Sequence, residues 1–115
     1  MRYYRRLYWG EDLKKKKEKW MKKIEAGKYP LQAYILALCE TGDDQLEFYS
    51  ANMLYQSIVS TEDIFVVGLA ESYMDAIYLV EEITKEVFAK TGEADLRSYL
   101  LQQQRLYEGN NKTEV

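Results

Sequence analysis

The stretch Ile64-Phe65-Val66-Val67-Gly68-Leu69-Ala70, followed at once by Glu71-Ser72-Tyr73-Met74-Asp75-Ala76, decides how this 115-residue chain folds. An uncharged run rich in β-branched and aromatic side chains reads as a strand buried on both faces. Ser72 with Asp75 three residues later resembles a capping box, Asp standing for the usual Glu, so a helix opens directly behind the strand. Ala76, Val80, Ile83 and Val87 share one face of that helix, with Ile77, Leu79 and Phe88 beside it. Glu81, Glu82 and Lys85 turn to solvent, and Gly92 closes the helix.

Upstream, Pro30 leads into residues 31–39, a nearly continuous apolar run bounded by Glu40-Thr41-Gly42-Asp43-Asp44, which reads as a second buried strand. Asp43 or Asp44 then caps a helix in which Leu46, Tyr49, Met53 and Leu54 share one side, ending near Ser60. Residues 3–9 are aromatic and stop at Gly10, as a first strand does. From Asp12 onward Leu13, Trp20, Met21 and Ile24 fall on one helical face among lysines. Asp95 caps a last helix carrying Leu96, Tyr99 and Leu100, and residues 108–115 have nothing to bury.

The order β-α-β-α-β-α-α predicts an α/β fold, a small three-stranded parallel sheet with the helices packed on it. Residues 1–107 make one domain and 108–115 a flexible tail. Arg5 and Arg6 suit an edge for the first strand, with the second or third strand in the middle.

Composition narrows the chemistry. With no histidine and Cys39 as the single cysteine, the chain lacks the residues for Ser-His-Asp or Cys-His catalysis, for an intrachain disulfide and for a cysteine zinc site. No cofactor or metal is expected, and an enzyme is the weaker expectation. No apolar run reaches the roughly 18 residues of a membrane span, and no secretory leader follows Met1, so a cytoplasmic setting is expected, away from membranes. The net charge of −3 conceals a division: residues 1–28 carry eleven basic and four acidic side chains, and the remainder is strongly acidic.

Four segments, Tyr8-Trp9-Gly10-Glu11, Asp44-Gln45-Leu46-Glu47, Val67-Gly68-Leu69-Ala70 and residues 91–100 from Thr91 to Leu100, resemble a group of small conserved proteins of clostridia-like anaerobic Gram-positive bacteria. The resemblance spans most of residues 3–100. It implies a bacterial cytoplasmic setting and carries no assigned activity.

Parallel α/β sheets gather ligands at the carboxyl ends of their strands. In this chain those ends are Gly10 and Glu11; Glu40, Asp43 and Asp44; and Gly68, Glu71 and Ser72, which together form the candidate ligand rim. The Gly68–Ser72 turn offers a phosphate site weaker than a P-loop, and against it stands a plain helix cap. The rim carboxylates suit Mg²⁺ or acid–base work, but acidic first helical turns are commonplace. Lys14–Lys17, Lys19, Lys22 and Lys23, with Arg2, Arg5, Arg6 and Tyr3, Tyr4, Tyr8 and Trp9, compose a possible RNA surface; a solvated face balanced by acidic helices weighs more, and no nucleic-acid partner is expected. The leading expectation is a non-enzymatic binding or regulatory module, a homo-oligomer that holds a protein or small-molecule partner. A small enzyme or nucleotide-binding protein using the rim is the second, and RNA binding the third. Two strands buried on both faces, with few helices to cover them, argue for the oligomer, with Tyr3, Tyr4, Tyr8 and Tyr107 as interface aromatics.

Overall fold

The computed structural model describes residues 2–26, 28, 33–38, 46–51 and 64–113. Strand β1 (Arg2–Trp9) leads through a 3₁₀ segment (Glu11–Lys16) into helix α1 (Lys17–Glu25). Strands β2 (Tyr34–Leu38), β3 (Glu47–Ser50) and β4 (Phe65–Ala70) follow, then helices α2 (Tyr73–Thr91) and α3 (Leu96–Thr113). The α/β class is as expected, but the sheet has four strands in the order β1-β4-β2-β3 and is mixed. β4 pairs parallel with β1, and β2 pairs antiparallel with both β4 and β3, so β2 alone runs against the rest.

The three-stranded parallel sheet is therefore corrected, and the correction centres on residues 47–50. Read as helix, they form β3 instead, with Glu47 opposite Ala37 and Ser50 opposite Tyr34. Phe48 packs against the core under α2 and α3, whereas Tyr49 packs against the core under α1. Adjacent residues that must reach opposite faces need a period of two, which a helix cannot supply. Met53 and Leu54, which suggested a helical face, lie outside the described residues.

The strand centre of the fold matches its sequence pattern. Every residue of β4 is buried, and β1 lies at an edge. Along β2, Ile35 and Ala37 face Leu13, Trp20 and Ile24, while Leu36 and Leu38 face Ile83, Val87 and Leu100. Both faces of the sheet are thus covered within one chain: the 3₁₀ segment and α1 close one, α2 and α3 the other. The argument for a partner over a bare sheet face falls with this, because no such face exists among the described residues.

Helix α3 also protects the edge. The Gln104 side chain accepts from the Arg5 N–H at 2.9 Å and its amide donates to the Tyr3 carbonyl at 3.4 Å. A parallel neighbour bonds in this way to the residues on either side of its opposite number, so the amide stands in for one strand residue opposite Tyr4. That blunts an edge open to pairing with other chains. α3 runs on to Thr113, so residues 108–113, expected as a tail, continue the helix.

Candidate functional site

β1, β3 and β4 point the same way, so Trp9, Ser50 and Ala70 end at one rim, which also receives Tyr34 from the start of β2. Gly10, Glu11, Glu71 and Ser72 lie at that rim. Glu40, Asp43 and Asp44 lie outside the described residues; β2 leaves the sheet at Leu38, which pairs with Phe65 at the opposite end. Gly68 sits within β4 opposite Tyr8 and Leu36. A Cβ there would come to 3.1 Å from Leu79 Cδ2 and 3.2 Å from the Tyr8 carbonyl, so its missing side chain lets α2 and β1 approach β4.

The rim is filled by the chain's own groups. Ser72 is extended, and its Oγ accepts from the Asp75 N–H at 3.1 Å, the expected cap. In return Asp75 Oδ2 accepts from the Glu71 N–H at 3.2 Å. Asp75 is buried, and a Cβ on Gly10 would fall inside its carboxylate. A carboxylate of the protein therefore already meets the positive end of α2, where an anion would bind. Lys16 Nζ lies 2.8 Å from Glu71, and Lys14 Nζ 2.8 Å from Glu11. Lys14 draws the Glu11 carboxyl below its ordinary pKa, and Glu11 raises that of Lys14. Among the described residues no three acidic or thiol groups converge to hold a metal ion.

The basic segment divides. Arg5 donates to the Tyr107 carbonyl at 3.0 Å, the Arg6 guanidinium lies 5.2 Å from the Tyr107 ring centre, and Arg2 lies 5.1 Å from that of Phe65. The aromatics expected beside them are committed within the chain. Tyr4 is buried, stacked on Tyr8 and tilted against Phe65 and Tyr107. Tyr8 donates to the Glu86 carboxylate, and burial together with that bond pushes its hydroxyl pKa well up. Tyr4 therefore offers neither a stacking platform nor an interface aromatic, and the Tyr8 hydroxyl is already engaged. The lysines fare differently: an open hollow of about 510 Å³ is lined by Lys14, Lys15, Lys16, Lys17, Glu18 and Lys19.

The surface that sequence reasoning missed is the outer side of α2. Met74, Tyr78 and Phe88 are 51%, 62% and 59% exposed, and Tyr73 beside them packs edge-on against Tyr34 and Phe48. Met74, Tyr78, Glu81, Lys85 and Phe88 follow one another at alternating steps of four and three, a stripe opposite the buried Ala76, Leu79, Ile83 and Val87. The spacing was visible in the sequence, but Phe88 reads there as flanking the core and Glu81 and Lys85 as solvated.

Compared with known protein families, curated proteins and solved structures, the chain matches none. Among the described residues no helix is long and apolar enough to cross a membrane.

Proposed function

We propose that the chain is a non-enzymatic binding module of the cytoplasm that acts as a homo-oligomer, and that the outer face of α2 is where its copies meet. The observation that carries the reading is the exposure of Met74, Tyr78 and Phe88 on one side of one helix. Side chains of this size cluster on a surface where something covers them. The rim supports a ligand less well, because Asp75 occupies the turn at Gly10 and Glu71 is paired with Lys16. Light scattering across a micromolar concentration series tests the proposal. The parent should approach twice the chain mass as concentration rises, and Met74→Glu with Tyr78→Glu should hold it at one. A parent that keeps the single-chain mass throughout refutes it.

A second reading has one observation in its favour. Lys15, Lys17, Lys19, Lys22 and Lys23 are exposed, with no ion pair among the described residues, and α1 packs on the sheet face opposite that of α2 and α3. With the arginines and aromatics engaged elsewhere, RNA binding here would rest on phosphate contacts alone and fall steeply with salt. Anisotropy of a labelled RNA hairpin at low salt decides it: no change, or equal binding by Lys19→Glu with Lys22→Glu, removes this reading.

A further inference from the structure

The α2 stripe specifies more than a sticky surface, and the inference rests on the oligomer proposed above. Steps of four and three residues are the seam of a two-helix coiled coil, in which alternate positions interdigitate with those of the partner helix. In this seam the outer members are apolar, Met74, Tyr78 and Phe88, and the centre is a charge pair, Glu81 and Lys85, whose side chains are 56% and 75% exposed and 2.9 Å apart. A parallel copy would set Glu81 against Glu81 and Lys85 against Lys85. An antiparallel copy can do better. In the register that places Tyr78 of each chain against Phe88 of the other, Glu81 of each chain faces Lys85 of the other. One register thus satisfies both the aromatic and the charged members, twice over, as a two-fold interface requires.

We infer that two copies of the chain pack α2 against α2, antiparallel, in the register that pairs Tyr78 with Phe88 and Glu81 with Lys85 across the two-fold axis. The helix is long enough for this: 19 residues span about 28 Å, and the seam runs over four turns of it. Aromatic side chains cover roughly 150–250 Å² each when buried. Tyr78 and Phe88 from both copies, with Met74 and the stems of Lys85, bring the contact close to the roughly 1,000 Å² at which specific interfaces begin. The dimer is accordingly a weak one, dependent on concentration. The closing face holds four charges, two of each sign, so its specificity is electrostatic while its adhesion is aromatic.

Charge reversal tests the register separately from the existence of the dimer. Glu81→Lys leaves two cations per helix and Lys85→Glu two anions, so each variant alone should dimerise at least about tenfold more weakly than the parent. An equimolar mixture of the two variants restores every cross-axis pair and should return to the parental mass in light scattering. Because both substitutions are at exposed positions, and because an unfolded chain would not pair, recovery in the mixture also shows that both variants fold. If the parent is dimeric and either variant dimerises as the parent does, or the mixture stays at the single-chain mass, the register is wrong while the oligomer stands. A monomeric parent overturns both.

Discussion

Adding one methyl group at Gly10 should expose how the rim is filled. The residue has φ −58° and ψ 151°, a conformation open to any amino acid, so Gly10→Ala introduces no backbone strain. The smaller freedom of alanine in the unfolded chain would by itself favour folding by about 0.4–1 kcal/mol. Against this, the new methyl group coincides with the Asp75 carboxylate, and overpacking of a closed site costs about 1–3 kcal/mol. If Asp75 turns away, the Glu71 N–H loses a bond to a charged group, worth about 1.5–3 kcal/mol. The net expectation is a loss of about 0.5–2.5 kcal/mol, read by chemical denaturation. The same substitution made in an Asp75→Ala background has nothing to collide with. There its sign should reverse, to a gain of about 0.4–1 kcal/mol, so the two changes couple strongly in a double-mutant cycle. Equal costs in the two backgrounds, or no cost in the parent, would refute the contact and reopen the rim as a place for a ligand.

Three further outcomes follow from contacts described above. Trp20→Ala should cost about 3–5 kcal/mol, because the ring is buried with Leu13 and Ile24 against β2 and β4; a melting temperature within error of the parent's would place the ring outside the core. Gln104→Ala removes both bonds to the β1 edge and should cost about 1–2 kcal/mol, with aggregation on heating that the parent does not show. The Tyr8 hydroxyl has its pKa raised above the ordinary 10.0, so its contribution to stability is complete below about pH 10 and is lost as pH climbs beyond it. Tyr8→Phe should therefore flatten the alkaline limb of a stability–pH curve and leave the neutral region level; an unchanged alkaline limb would deny the buried bond to Glu86.

What the sequence could reveal divides along physical lines. β4, the sheet-facing side of α2 and the Trp20 face of the α1 segment were legible because each satisfies one environment with one period: β4 is buried throughout, and each of these helix faces packs its apolar residues toward the sheet. β3 was not legible, since Leu46-Glu47-Phe48-Tyr49 over four residues fits either period, and only the second face of the sheet, invisible in the local string, selects the strand. The direction of β2 escaped for a related reason: an apolar run buried on both faces looks the same whether its neighbours run parallel or against it. At the rim, Ser72 as a cap was legible from its spacing to Asp75, whereas the contact between Asp75 and Gly10 joins residues that no local pattern connects.

The two faces of α2 allow the fold and its proposed use to be tested apart. Ile83 is fully buried on the sheet side and Phe88 is 59% exposed on the other, although the two lie little more than a turn from one another. Ile83→Ala should cost about 2–5 kcal/mol of stability, as a cavity in a closed core does. Phe88→Ser removes a mostly exposed side chain, and surface changes of that kind stay within about 0.5 kcal/mol. If the outer face is only an accident of composition, Phe88→Ser should change neither stability nor mass. If it is the seam, the variant should melt with the parent yet fail to dimerise at concentrations where the parent does. The lysine segment supplies the comparison: there the apolar residues Leu13, Trp20 and Ile24 are all turned inward, whereas α2 also carries Met74, Tyr78 and Phe88 on its outer side. Large apolar side chains on that side lower solubility and do nothing for the sheet, so a docking surface would account for them where a core requirement does not. A Phe88→Ser variant that keeps the parental mass curve would remove that explanation.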